Sequence, residues 1–167
     1  MNMTPEQRRF LLVGNGVIAG VINVVINGAI AVVSYWSLSS LPIVGWTSVR
    51  ADLTGMAYLL PAITVLINTP IVRRANLPAV TLPGWLRWFR RPLLVRSVMF
   101  GLAGLVVVAL PVWLATTLVA DGAAVSSRPY VVAKAMVGGL YGLLVTPLIA
   151  VVALSDQAAT HDPPQPG

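Results

Sequence analysis

Apolar residues in this chain come in long blocks rather than in the alternation of a strand or the stripe of a surface helix. Four blocks stand out, at about residues 10–35, 52–72, 97–119 and 130–154. Each approaches the roughly 20 mostly apolar residues that a helix needs to cross the hydrocarbon of a bilayer. The pattern predicts an all-α polytopic membrane protein with four transmembrane helices, arranged as two similar helical hairpins. The first hairpin occupies residues 1–76 and the second residues 97–154, with a linker at 77–96 between them. A polar, Pro-rich tail at 155–167 is expected to be disordered. The first block is too long for a cleaved signal sequence and no small-x-small site closes it, so it is expected to be retained.

The polar positions inside these blocks are few. In the first, Asn15, Ala19, Asn23, Asn27 and Ala31 recur every fourth residue, beside Gly16, Gly20 and Gly28. Amides in lipid must face another helix or water, and small residues let helix backbones approach. The expectation is a packing face whose asparagines bond across helices, with a solute-lining role as the sharper alternative. Gly138 and Gly142 form a comparable small pair in the fourth block. The second block places Tyr58, Thr64 and Asn68 on one broad face with Thr54 and Pro61. Pro61 removes a backbone donor and frees a carbonyl that a neighbour or a cavity must satisfy. The third block has no matching amides: 82 residues on from Asn23 and Asn27 stand Leu105 and Ala109.

Two ionisable residues enter the blocks. Asp52 opens the second, and Lys134, the only lysine, lies about one turn into the fourth. They would lie at similar depth, placed to form an outer charged pair. The alternative is that Lys134 snorkels while Asp52 acts as a helix N-terminal acid.

Composition agrees with the block pattern. The 167 residues are 57% hydrophobic and 10% charged, with a mean hydropathy of +0.84, against about a quarter charged in a soluble domain. Arginine sets the direction. Arg8, Arg9, Arg73, Arg74, Arg87, Arg90, Arg91 and Arg96 flank one side of the predicted membrane, and only Arg50 and Arg128 the other. The positive-inside rule puts both termini and the linker in the cytoplasm. The net charge of +6 is mostly this asymmetry and does not point to nucleic acid. In the linker, Trp85, Arg87, Trp88, Arg90 and Arg91 read as a short interfacial helix facing anionic headgroups, begun by Pro83 and Gly84 and ended by Pro92. The scarcity of lysine beside abundant arginine, with so much Ala, Val, Leu and Gly, looks like a bacterial genome rich in G and C, and the expected location is a bacterial inner membrane.

Some sequence recurs. "RRFLLV" at residues 8–13 returns as "RRPLLV" at 90–95, and "NTPIV" at 68–72 returns loosely as "VTPLI" at 145–149. Two like hairpins would share one orientation, about an axis along the membrane normal.

Catalytic chemistry finds no footing. There is no cysteine, and the one histidine, His161, lies in the tail. No metal-ligand cluster, phosphate loop or nucleophile–base set is present. A small multidrug exporter would need a deep acidic residue in its first helix, and none is there. The chain is thus expected not to be an enzyme, to need no cofactor and no metal, and to use the bilayer, a second copy or another membrane protein as partner. The preferred function is permease- or channel-type passage of a small solute or ion, lined by Asn23, Asn27, Thr64, Asn68 and Tyr58, through the bundle or an oligomer interface. The alternative is an accessory, scaffold or lipid-binding subunit that carries nothing.

The stretches "RRFLLVGNGVIAGVINVVINGAIA", "INTPIVRR" and "VTPLIAVVALSD" resemble a group of small bacterial four-helix inner-membrane proteins with no assigned activity. The resemblance covers most of the chain. It implies four helices and a bacterial inner membrane, and brings no site residues.

Overall fold

The computed structural model describes residues 3–118 and 122–156. Four long helices dominate it: α1 (Pro5–Tyr35), α2 (Val49–Arg74), α3 (Leu93–Thr117) and α4 (Ser127–Ser155). They run for 25 to 31 residues with window hydropathies of 1.6 to 2.4, enough to span a bilayer. The chain is a multi-pass membrane protein of all-α fold.

Each helix starts three to five residues before its apolar block, because caps rather than hydropathy set the ends. Thr4 and Gln7 form a reciprocal capping box ahead of α1. The Ser48 hydroxyl accepts from the Ala51 N–H at the start of α2, satisfying a donor the helix leaves unpaired. Two stretches widen to π-helix, residues Phe10–Ile18 in α1 and Leu105–Ala109 in α3. The first carries the Gly14-Asn15-Gly16 triplet; the second directly precedes Pro111, which has no N–H to offer the ladder.

In space the helices follow the order α1–α4–α2–α3. Neighbours α1 and α4 run antiparallel, as do α2 and α3, while α4 and α2 run parallel. The two helices of one hairpin therefore do not pack along one another. Each hairpin opens to admit a helix of the other, and exchanging the two halves leaves the order unchanged.

Small residues explain these partners. A Cβ on Gly20 would lie 3.3 Å from the Gly139 carbonyl oxygen, and one on Gly139 would lie 3.2 Å from that of Gly20. Gly16 meets Leu143 and Pro147, and Gly28 meets Ala135. Between α2 and α3, Gly101 accommodates the Tyr58 ring and Gly104 the Ala57 carbonyl, 2.0 Å from where a Cβ would stand. In lipid there is little hydrophobic drive between helices, so close van der Waals approach selects the neighbours.

The loops close both ends. At one end, short antiparallel strands β1 (Ser40–Pro42) and β2 (Ala124–Ser126) pair in register Leu41↔Val125, where the sequence suggests only loops. At the other end, the linker turns back under the bundle. Leu77, Val80, Leu82 and Leu86 join a core with Leu11, Phe100 and Ile149, and the Gln7 side-chain amide donates to the Pro78 carbonyl at 2.9 Å. The linker's helical turn spans only Gly84–Phe89, as 3-10 helix, and is half core, half surface. The tail begins later than expected: Ser155 still belongs to α4 and Asp156 caps it. The rest of the tail lies outside the described residues.

Adding one methyl at Gly104 should separate α2 from α3. Gly104→Ala is expected to lower stability in detergent by about 1–3 kcal/mol through overpacking. Gly55→Ala, where a Cβ meets nothing within 4 Å, should be neutral or slightly stabilising. Helical circular dichroism during thermal or SDS unfolding reads both; equal loss in the two variants would contradict the close contact.

Candidate functional site: a polar-floored cleft

Because α1 leans on α4 and α2 lies on α4's other side, α1 and α2 stand apart. The gap is a cleft of about 890 Å³. Its floor carries Asn15, Asn23 and Asn27 from α1, Asp52, Thr64 and Asn68 from α2, and Lys134 and Thr146 from α4. Its walls are two aliphatic rows with four-residue spacing. Ile18, Ile22, Ile26 and Ile30 line one side and Leu59, Ile63, Ile67 and Ile71 the other, all half-exposed. Four-residue spacing drifts only slowly around a helix, so each row keeps to one edge and the asparagines keep to the floor. The cleft lies within a single chain, without help from an oligomer.

The asparagines do not bond across helices, against the sequence expectation. Asn23 Nδ2 donates to the Ala19 carbonyl at 2.8 Å and Asn27 Nδ2 to the Asn23 carbonyl at 2.9 Å. Asn15 Nδ2 donates to the Phe10 carbonyl at 3.1 Å, within the π-helical stretch. Short polar side chains in helices commonly bond back to the preceding turn in this way. What they contribute across the interface is shape. A Cβ on Gly142 would sit 2.4 Å from Asn23 Nδ2, and one on Gly138 2.6 Å from Asn27 Nδ2. The two amides seat directly on the two glycines.

At the strand end of the cleft, Asp52 and Lys134 form an ion pair at 2.6 Å. The Tyr130 hydroxyl donates to the other Asp52 oxygen at 2.5 Å. Lys134 Nζ lies 5.3 Å from the centre of the Tyr35 ring, which meets Tyr130 edge-on. Lys134 is 4% exposed, so it does not snorkel. In this buried pair the Asp52 carboxylate accepts from both Lys134 and Tyr130, while the ammonium also faces the Tyr35 ring; a buried pair needs such compensation.

The opposite, linker end holds donors left over. Asn68 Nδ2 and Thr146 Oγ1 are buried without a protein hydrogen-bond partner. Buried polar groups are rarely left so, and both line the cleft. Thr64 donates to the Leu60 carbonyl at 2.7 Å, leaving its lone pairs free.

Two sequence candidates resolve differently. Tyr58 does not line the cleft; it packs on Gly101 between α2 and α3. At 100° per residue it sits about 120° round the helix from Thr64, so the face drawn through both was too broad. The carbonyl freed by Pro61 belongs to Ala57 and is not open to a solute. It accepts from the Tyr141 hydroxyl of α4 at 3.3 Å.

The linker residues form a separate surface. Trp85 and Trp88 are largely exposed, with Arg87, Arg90 and Arg91 exposed beside them. Sequence reasoning missed their neighbour Asp156, assigned to the tail. Its carboxylate meets Arg96 at 2.7 Å, Arg73 at 2.9 Å and Arg90 at 4.0 Å. Arg96 is 1% exposed and also donates to the carbonyls of Phe89 and Arg91. The available signal was one acid directly after the last apolar block, in a chain with so many arginines at that side.

Among the described residues no group of three or more His, Cys, Asp or Glu could hold a metal. Comparison with protein-family models, with curated proteins and with solved structures finds no match.

Removing one partner of the buried pair should cost more than removing both. Lys134→Met leaves the Asp52 carboxylate uncompensated and is expected to destabilise by about 3–5 kcal/mol. The double variant Asp52→Asn, Lys134→Met should recover a large part of that loss. Unfolding midpoints of the four proteins form the double-mutant cycle, and strict additivity would show that the pair is not coupled.

Proposed function

We propose that the protein is a transport-type membrane protein of the bacterial inner membrane, moving a small polar group along the cleft between α1 and α2. One observation carries this reading. Polar residues from three helices, scattered from Asn15 to Thr146 in sequence, line one cleft that runs from the linker end to the strand end. Polar side chains at membrane depth are costly and tend to mark solute pathways. Here they gather on the side where two helices separate. At the corresponding α3 positions stand Leu105 and Ala109, whose side chains are apolar. The reading is of a carrier or channel, not of an enzyme.

Orientation follows from charge. The bundle end with the linker carries eight arginines and the strand end Arg50 and Arg128. By the positive-inside rule this supports a reading with the termini, the linker and the Asp156 cluster in the cytoplasm and the Asp52–Lys134 pair near the outer surface. A second reading, a non-transporting subunit docked through lipid or a partner, draws on the exposed Trp85 and Trp88 beside three exposed arginines.

The absence of native cysteine makes orientation directly testable. In intact spheroplasts, Trp46→Cys should react with an impermeant maleimide, and Trp88→Cys only after the membrane is opened. The reverse pattern would invert the assignment.

Flux tests the function. Purified protein in liposomes should pass small polar solutes above the rate of empty vesicles. Thr64→Val with Asn68→Leu should lower that rate about tenfold, the worth of one or two hydrogen bonds, while helicity is unchanged. No flux above empty vesicles for any solute in a panel of ions, polyols and amino acids removes the transport reading.

A further inference from the structure

The shape and chemistry of the cleft narrow what it takes, and this inference rests on the translocation reading above. The cleft is a slot, not a closed hole. Its aliphatic rows are half-exposed, so it opens sideways into the bilayer. The cleft holds about 890 Å³ along the length of α1. Its two facing aliphatic rows suit an extended hydrocarbon chain.

The floor specifies the head. Asn15, Asn23, Asn27 and Thr64 each spend a donor on their own backbone. In Asn23 and Asn27 the Nδ2 and Cγ atoms lie nearest the α4 glycines, which turns the amide oxygens away from α4. The floor thus offers acceptors along its length. At the linker end it offers two unused donors, Asn68 Nδ2 and Thr146 Oγ1, on side chains 9% and 4% exposed. Register brings both kinds together. Asp52 pairs with Lys134 and Ala57 with Tyr141, separations of 82 and 84 residues, so Thr64 lies level with Thr146. Gly16 touches Pro147, so Asn15 lies at that depth too.

An anionic head leaves the amide oxygens of the floor without a donor, and the cation lining the cleft is already neutralised by Asp52. An ammonium head has nothing to accept from Asn68 and meets no unbalanced negative charge. A hydroxyl both donates and accepts. We propose that the cleft binds a single-chain amphiphile with a neutral, hydroxylated head. The chain lies between the isoleucine rows, and the hydroxyls bond Asn15, Thr64, Asn68 and Thr146.

Photocrosslinking in proteoliposomes tests this. Three probes share one diazirine-bearing alkyl tail and differ in head: glycerol ether, sulfonate and trimethylammonium. The glycerol probe is expected to label peptides containing Ile22, Ile26, Ile63 and Ile67 about tenfold above the other two, the worth of one or two hydrogen bonds. Unlabelled monoalkylglycerol should compete and free glycerol should not. Asn68→Leu with Thr146→Val should abolish the excess and Thr146→Ser should keep it, while labelling of the lipid-facing Val106 and Val107 stays constant as the control for folding. Equal labelling by the three heads overturns the proposal, as does an excess that survives Asn68→Leu with Thr146→Val. Competition by free glycerol overturns it as well, and leaves a small-solute transporter standing. Selective labelling in vesicles that show no flux supports the ligand class and counts against transport alone.

Discussion

The rest of the structure depends on the seating of Asn23 and Asn27 of α1 on Gly142 and Gly138 of α4. Between membrane helices the lipid is as apolar as the side chains, so close approach decides which surfaces meet. Here the approach is extreme: any Cβ at Gly138 or Gly142 would overlap an asparagine amide. Gly20 and Gly139 extend the contact backbone to backbone. A helix fixed along this line to α4 is not also free to lie along α2. The gap, its two exposed isoleucine rows and its polar floor all follow from that one choice of partner.

Proline gives the opposite side of the bundle its shape. Pro61 leaves the Ala57 carbonyl without its helical donor, and a bare carbonyl at this depth is costly. Tyr141 reaches it from α4, and Gly104 of α3 leaves room for it. Three helices meet at one satisfied backbone group. Tyr58, the residue after Ala57, fills the space over Gly101. Tyr58, offered by the sequence as a lining of the path, lies instead in a close junction between α2 and α3.

The two polar faces of α2 show what sequence carries and where it stops. Hydropathy located all four spans, and four-residue spacing placed Asn15, Asn23 and Asn27 on one line with the small residues beside them. It also selected Asn23, Asn27, Thr64 and Asn68, which the structure gathers around one cleft. Spacing names faces, however, and not partners. Nothing in the periodicity says that α1 prefers α4 to α2, because that depends on where the glycines of a distant helix fall in depth. The donors of the asparagines were misread for a related reason. An amide in a helix always has its own preceding carbonyl within reach, so a polar stripe alone does not imply bonds to a neighbour. Asp156 escaped because its partners, Arg73, Arg90 and Arg96, come from three separate segments.

Polar ties distribute unevenly among the helices, and that bears on how a cleft in lipid can work. At the linker end Asp156 of α4 joins Arg73 of α2 and Arg96 of α3. At the strand end Asp52 of α2 joins Lys134 and Tyr130 of α4, and α2 is tied to α3 by Arg50 with Thr116 and by Trp113 with Thr54. Charged and hydrogen-bonded links of this kind hold α2, α3 and α4 as one body. Among the described residues, α1 has the Gln7 bond to the linker and, at Tyr35, ring contacts with Tyr130 and Lys134 and a hydroxyl beside Asp52 of α2; between these two ends it rests on shape. Van der Waals contact falls off steeply with separation but leaves no unpaired donor or charge behind when it is lost. The asparagine amides keep their own backbone bonds whether α1 is seated or displaced, so moving this wall uncovers no unsatisfied group on it. The same back-bonding that deprives the asparagines of partners across the interface leaves the middle of α1, one wall of the cleft, held to α4 by shape alone.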